Sequence, residues 1–408
     1  MDEKLSVIKY GVLITKRGLI LSIILSCVFY LSYFVFIYYV LQHFIPSLDN
    51  RQIIQASFDF VIVITLIAAS FFIHRTNKLH VIYACSIAIS MFAFLFFISM
   101  DLLRLTLIFI IAIFFSVGQL AFLTYFWNLT VPEERGRIAG VNGFLSLLLY
   151  AIMFATVAPT LDFQRAVVLG IALSLGPLMV LFLRPEEAVL TVKKDEIRYY
   201  PEKRTVLLYL IPWVLFSLIN VTFAKNISFN ISQQVPPSLY LFLNILQAIG
   251  TIFGALSGGA AADFFGRRVS LAFSLTLYGI SAALAGIAVN SALLYFVYVA
   301  NGLSWGILLV MYGFVIWGDL SNKENCAKLY PIGFIIFYAT QGIGFLPFKQ
   351  IFEISLTISS LLSCLLIFLS NIPVFLAPEL VSSSFQERMR LKLHLKAVKK
   401  IKQSRNQG

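Results

Sequence analysis

Charged residues are scarce in this sequence. Only 12% of its 408 residues are Asp, Glu, Lys or Arg, whereas 60% are hydrophobic. A soluble globular domain is typically about a quarter charged and about half apolar. The composition therefore excludes a soluble enzyme, and the high apolar content also excludes a disordered chain.

Cysteine and histidine are also few, with 4 residues of each. No cysteine spacing indicates a disulfide framework, and no two histidines lie three or four residues apart, so no metal site is predicted. The phosphate-binding pattern G-x-x-x-x-G-K-[ST] is absent, so we do not expect the chain to hydrolyse ATP. We also expect it to bind no cofactor. The apolar runs hold no cluster of His, Asp or Glu, which counts against a rival interpretation, a membrane-embedded enzyme such as a lipid-modifying transferase.

Long apolar runs are what the sequence has instead. Twelve runs reach the roughly 18 residues that a membrane-spanning helix needs, and none alternates in polarity as a barrel strand would. The sequence therefore predicts an all-α integral membrane protein with twelve transmembrane helices. The runs lie at 18–45, 52–73, 79–99, 102–127, 138–159, 164–183, 205–229, 238–262, 269–289, 292–318, 329–347 and 353–376.

The longest polar break between runs divides the chain into two sets of six. We therefore predict a six-helix bundle over 1–183, a cytoplasmic linker over 184–204, a second bundle over 205–376 and a basic cytoplasmic tail over 377–408. The two halves also align at a constant offset of 190 residues, which places Glu134 on Glu324 and Gly143 on Gly333. An even number of spans makes this repeat parallel, and two such halves with a site between them are typical of transporters.

The net charge of +12 is explained by orientation. With both termini on one side, 26 of the 31 basic residues lie on that side. This asymmetry predicts a multi-pass protein of the cell (plasma or inner) membrane with cytoplasmic N- and C-termini. The basic excess thus indicates the lipid bilayer as the partner, and not nucleic acid. We expect the basic tail to bind the anionic lipids of the cytoplasmic leaflet.

The strongest motif is the loop Gly259–Arg268, which reads GAAADFFGRR. It resembles the G-x-x-x-D-x-x-G-R-R loop of the major facilitator superfamily, and Pro132–Arg137 and Asp319–Lys328 resemble other loops of that family. We interpret part of the loop as a latch that holds the two halves together in one conformational state; the alternative is a purely topological loop. The proposed latch residues are Gly259, Asp263, Gly266, Arg267 and Arg268.

The resemblance implies a secondary active transporter that moves a small solute by alternating access, expected as a monomer. We expect the energy to come from an ion gradient, namely that of protons; the alternative is a uniporter without ion coupling. One departure keeps a further alternative open: Ile73 stands where the first-half loop should carry its acid. A transporter-derived sensor or scaffold that no longer moves substrate would tolerate that loss.

In the resembled family, spans one, four, seven and ten line the central cavity. In this sequence those spans carry stripes of polar and aromatic residues without charge, which favours a neutral, amphipathic or partly aromatic solute. The alternative is that these residues hold helices together and mark the membrane interfaces. The predicted cavity residues are Tyr30, Tyr33, Gln119, Trp213, Asn220, Asn301, Trp305 and Tyr312.

Asp59 is the acid placed deepest in a predicted span. Since a carboxylate at such depth is costly, we predict that Asp59 takes part in proton coupling or binds a cationic group. The alternative is an Asp in a wet vestibule that pairs with a nearby base. Lys225 is the basic residue most plausibly inside a span, and we expect it to reach the outer headgroups.

Overall fold

The computed structural model describes residues 14–35, 48–90, 100–157, 202–287, 290–322, 325–345 and 354–380, and every structural statement below concerns these residues. The described segments are helices joined by turns and short loops. The predicted span 164–183, most of the linker 184–204 and the tail beyond residue 380 lie outside them.

The first half contributes five helices to the described residues, and each overlaps one of the first five predicted spans. A short 3-10 turn, Ile73–Arg75, follows the second helix. The helices are α1 (Lys16–Val35), α2 (Leu48–Ser70), α3 (Lys78–Ser90), α4 (Asp101–Leu129) and α5 (Pro132–Val157).

The second half contributes six long helices and one short one. Two of the long helices contain a single π-helical stretch, Asn220–Ala224 and Met311–Val315, where the hydrogen-bond ladder is locally widened. The helices are α6 (Lys203–Gln234), α7 (Pro237–Phe265), α8 (Arg267–Ala285), α9 (Ser291–Asp319), α10 (Cys326–Leu329), α11 (Ile332–Phe345) and α12 (Leu356–Leu376).

One predicted span begins later in the structure than in the sequence analysis. Of the run 329–347, α11 forms the part from Ile332 to Phe345, and the short helix α10 ends at Leu329. Pro331 lies between the two helices, where its missing N–H group leaves one hydrogen bond of a continuous helix unmade.

Local sequence explains where several other helices begin and end. Pro237 stands in the first turn of α7, where the missing N–H group costs nothing. The side chain of Asn290 accepts a hydrogen bond of 2.8 Å from the N–H of Leu293 and so caps α9. Gly266 ends α7 with a φ of 102°, a conformation that glycine adopts without strain.

The outer surface of the helices suits a lipid environment. Leu241, Phe253 and Phe273 each expose more than half of their surface, although they belong to long apolar helices. Within the described ranges, eight helical stretches are long and apolar enough to cross a membrane. Burial of these side chains therefore requires lipid as the surrounding solvent.

The two halves meet along two helix pairs, α5 with α7 and α2 with α11. At the first pair the backbones touch, because a Cβ atom added to Gly259 would lie 2.2 Å from the carbonyl oxygen of Gly136. Only glycine permits that approach. At the second pair, Gly342 of α11 packs against Ala56 and Asp59 of α2.

Candidate functional site: a central cavity and a buried charge cluster

A small cavity lies between the two halves. It has a volume of about 30 Å³, room for one or two water molecules. Helices α1 and α4 of the first half and α6, α9 and α11 of the second half enclose it. The lining residues are Phe29, Tyr30, Tyr33, Gln119, Trp213, Leu309, Gly313, Gly333, Phe334, Phe337 and Tyr338.

Half of the predicted cavity residues line this cavity, namely Tyr30, Tyr33, Gln119 and Trp213. Tyr312 does not line it but packs directly behind it, with its ring stacked on Trp213 at a centroid distance of 4.5 Å. The stripes on α1, α4 and the first part of α6 thus converge on one point between the halves.

The other three predicted residues lie away from the cavity and connect helices of the second half. Trp305 Nε1 donates a hydrogen bond of 3.1 Å to the side-chain oxygen of Asn220, which joins α9 to α6. Gln247 Nε2 donates one of 2.8 Å to the side-chain oxygen of Asn301, which joins α7 to α9. The contacts of these three residues thus agree with the alternative given above, in which polar residues hold helices together.

Helix α11 also lines the cavity, although it carries no polar stripe in the sequence and was therefore not predicted to do so. Phe334, Phe337 and Tyr338 of this helix line the cavity, and the amide nitrogen of Gln119 donates a hydrogen bond of 3.2 Å to the hydroxyl of Tyr338. The signal present in the sequence is the spacing of these aromatic residues, which places them on one helical face.

Asp59 lies next to the cavity, behind Tyr33. It is fully buried, and the hydroxyl of Tyr33 donates a hydrogen bond of 3.0 Å to its Oδ1 atom. The Oδ2 atom accepts no hydrogen bond from the described residues. The titratable groups that face Asp59 are Tyr33 from α1, Lys225 from α6 and Tyr338 from α11.

Lys225 contacts the last turn of α11, a contact that the sequence analysis did not predict. Its Nζ donates a hydrogen bond of 3.2 Å to the carbonyl oxygen of Gly344 and lies 4.0 Å from the ring centroid of Phe345. Lys225 and Asp59 attract each other, although Lys225 does not line the cavity.

At one end of the cavity, Asp263 connects the two halves. Its Oδ1 atom accepts hydrogen bonds from the backbone N–H of Gly136, at 3.0 Å, and from Arg267 Nη1, at 2.7 Å. Its Oδ2 atom accepts one of 2.8 Å from the backbone N–H of Arg137. Because Gly136 and Arg137 belong to the first turns of α5, the negative charge also lies near the positive end of that helix dipole.

Arg267 extends this contact into a buried network. Its Nε donates a hydrogen bond of 2.8 Å to Asp319, which also pairs with Arg135 from the first half. Its Nη2 donates to the carbonyl oxygen of Pro132. We call Arg135, Arg137, Asp263, Arg267 and Asp319 the charge cluster; the sequence-based interpretation assigned no role to its Arg135, Arg137 and Asp319.

Arg268, although part of the predicted latch, contributes differently from Arg267. Its backbone N–H donates a hydrogen bond of 3.1 Å to Glu379, which also accepts one of 2.8 Å from the N–H of Arg267. Glu379 thereby satisfies the first N–H groups of α8. In the first half, Ile73, the counterpart of Asp263, is a buried core residue.

The described residues contain no group of three or more His, Cys, Asp or Glu side chains that could hold a metal ion. What the arrangement offers is an aromatic cavity, a buried acid beside it, and an ionic contact between two halves.

Comparison with solved structures identifies the architecture. The major facilitator superfamily transporter FucP, in the outward conformation, matches with a TM-score of 0.67 at 13% sequence identity, covering 88% of this chain and 98% of that one. A bacterial homologue of the iron transporter ferroportin, outward-facing, matches with the same TM-score of 0.67 at 13% identity, covering 88% and 98%. The proton:xylose symporter XylE matches with a TM-score of 0.61 at 12% identity, covering 88% and 95%.

Sequence comparison gives a narrower match. The family model described as "Sugar (and other) transporter" matches residues 216–317, which run from α6 to α9. No curated protein is significantly similar to the chain.

The class of the protein follows from these findings together with its apolar helices: it is a multi-pass helical membrane protein that shares the fold of these transporters. Its fold is that of the major facilitator superfamily, and the resemblance predicted from the loop Gly259–Arg268 is confirmed.

Proposed function

We propose that the protein is a secondary active transporter that moves a small solute by alternating access of the central cavity to the two sides of the membrane. The observation that carries this proposal is that the cavity lies between the halves and is closed by contacts between them. A cavity of about 30 Å³ holds no solute larger than water, so loading requires the halves to separate.

The charge cluster is the proposed latch at one end. Asp263 and Arg267 are buried. Asp263 accepts hydrogen bonds from the backbone of Gly136 and Arg137 across the α5–α7 contact, and Arg267 pairs with it from the same half. A buried pair is favourable only while both partners stay in place. When the halves separate at this end, water would replace these hydrogen bonds. Such a contact stabilises a closed state without preventing its opening.

The contact between α2 and α11 is the proposed closure at the other end. Asp59 lies in it, so opening of this contact would hydrate the carboxylate and give it access to protons. We therefore propose Asp59 as the coupling residue, with a proton as the coupling ion. A uniporter without ion coupling is the alternative, and it would be indifferent to the charge of Asp59.

The orientation and assembly remain those expected from the sequence. We propose that the charge cluster faces the cytoplasm, since the basic residues predict that side for the loop Gly259–Arg268. We propose a monomer as the working unit, because one chain supplies every described residue that lines the cavity.

Accessibility of the cavity from the two sides tests the proposal without knowledge of the substrate. Leu309→Cys places a thiol in the cavity wall after the four native cysteines have been replaced by serine. In proteoliposomes of known orientation, a membrane-impermeant thiol reagent should label this cysteine when added to either side. Labelling from one side only, or from neither, would contradict alternating access.

Counterflow then separates a carrier from a sensor or scaffold. A carrier exchanges a labelled solute against the same unlabelled solute across the vesicle membrane. A solute that stabilises the protein against heat, yet shows no counterflow, would indicate the sensor alternative that the loss of the acid at position 73 left open.

A further inference from the structure

The cavity wall is aromatic and carries no charged side chain. Seven of its eleven lining residues are Phe, Tyr or Trp. Two of its polar groups already have hydrogen-bond partners inside the protein. Gln119 donates a hydrogen bond to the hydroxyl of Tyr338, and Trp213 Nε1 donates one of 2.8 Å to the carbonyl oxygen of Gly333. A solute with a hydroxyl on every carbon would lose hydrogen bonds to water here without replacing them.

One acidic side chain lies directly behind this wall. The Tyr33 ring lines the cavity, and its hydroxyl donates to Oδ1 of the fully buried Asp59. The Oδ2 atom of Asp59 accepts nothing from the described part of the chain. A hydrogen bond to a carboxylate also increases the electron density of the phenol ring, which strengthens its attraction for a positive charge.

The rings are close enough to act together. The Tyr33 ring centroid lies 4.9 Å from that of Tyr338, and Tyr338 in turn lies 6.1 Å from Phe334. The hydroxyl of Tyr30 is buried beside Gly313 and has no hydrogen-bond partner among the described residues. It offers a polar contact to a bound molecule.

We propose that the cavity binds an organic cation, an alkylated or aromatic amine that carries a positive charge. A diffuse ammonium charge is attracted to the faces of aromatic rings, and an apolar surround excludes the water that would otherwise compete. Asp59 adds a counter-charge that a neutral solute of the same shape would not use. This inference rests on the proposed transport function, whose cavity it specifies.

Lys225 offsets part of the attraction between Asp59 and a bound cation. The proposal therefore predicts opposite effects on cation binding for variants of these two residues. Lys225 attracts Asp59 from the region of Gly344 and Phe345, outside the cavity wall. Part of the negative potential of Asp59 is therefore offset in the native protein. Removal of the charge of Lys225 should strengthen cation binding, whereas removal of the charge of Asp59 should weaken it.

Binding of isosteric probes to the purified full chain tests the proposal. The probes are choline and phenyltrimethylammonium, their neutral carbon isosteres dimethylbutanol and tert-butylbenzene, and xylose, with binding measured by calorimetry. We expect at least one cation to bind about tenfold or more tightly than its neutral isostere, as an added charge contact implies. Equal binding of cation and isostere, or tightest binding of xylose, would overturn the proposal.

Charge variants give the second half of the test. Asp59→Asn should reduce cation affinity about tenfold, Lys225→Gln should raise it, and Glu202→Gln, which removes an exposed acid outside the cavity, should leave it unchanged. If Asp59→Asn does not fold, the Lys225→Gln variant tests the proposal alone. Unchanged or weaker cation binding by Lys225→Gln would then refute the role of Asp59 as counter-charge. Binding in detergent requires the cavity to open to one side only and not to alternate between the two sides. Failure here is therefore distinguishable from failure of the transport proposal, which the Leu309→Cys labelling tests without any ligand.

Discussion

The carboxylate of Asp263 and the backbone N–H of Gly136 lie 3.0 Å apart, although they belong to different halves of the molecule. The bond is buried and charge-assisted, and Arg267 pairs with the same oxygen from the other side. Separation of the halves at this end breaks this contact by necessity. In the proposed mechanism, the contact therefore biases the balance between closed and open states.

Replacement of Asp263 should shift that balance toward opening. Asp263→Ala leaves Arg267 short of a buried partner, a loss that costs about 3–5 kcal/mol in comparable pairs. We expect the Leu309→Cys thiol to be labelled about tenfold faster or more from the side of the charge cluster, measured in proteoliposomes. Unchanged labelling from both sides would show that Asp263 is not a latch residue.

Arg267 and Arg268 should differ sharply, although each carries one positive charge in the same loop. Arg267→Gln removes the contacts to Asp263 and Asp319, whereas Arg268→Gln leaves its backbone bond to Glu379 intact. We expect the first variant to lower the melting temperature and raise labelling, and the second to behave like the native protein. Equal effects would favour the topological interpretation, in which the two charges only set orientation.

Gly259 should not tolerate even one methyl group. A Cβ atom there would lie 2.2 Å from the carbonyl oxygen of Gly136, whereas one at Gly279 would lie 3.3 Å from a side-chain carbon of Ile367. We therefore expect Gly259→Ala to destabilise the protein by about 1–3 kcal/mol. Gly279→Ala, the matched control, should change the melting temperature much less, and a reversed order would contradict the close packing of α5 on α7.

The architecture could be predicted from the sequence because apolar runs, basic loops and a loop motif are local signals. Asp263 and Arg267 were found for the same reason, as members of one short motif. Arg135 and Asp319 were not assigned to the latch, since only the folded chain brings residues 184 positions apart into one ion pair.

The cavity shows the corresponding limit of sequence patterns. A search for polar stripes found Tyr33 and Gln119 because they share helical faces with other polar residues. It did not find Phe334 and Phe337, because an apolar aromatic residue on a membrane helix faces lipid as readily as a cavity. It also placed Asn301 and Trp305 at the cavity, although each satisfies its hydrogen bonds between neighbouring helices.

Binding of an organic cation should depend on pH through Asp59. Protonation neutralises this carboxylate and removes its attraction for the ligand, so the affinity for phenyltrimethylammonium should fall as the pH is lowered. Asp59→Asn carries no charge to lose and should bind weakly at every pH. The measurement is calorimetric titration across a pH series.

The exposed acid Glu202 provides the control for that dependence, since Glu202→Gln removes one carboxylate without touching the cavity. This variant should keep the pH dependence of the native protein. Tyr33→Phe should weaken binding while retaining the dependence, because the ring remains but its hydrogen bond to Asp59 is lost. If Asp59→Asn showed the same pH dependence as the native protein, the titrating group would lie elsewhere, and Asp59 could be neither the counter-charge nor the coupling residue.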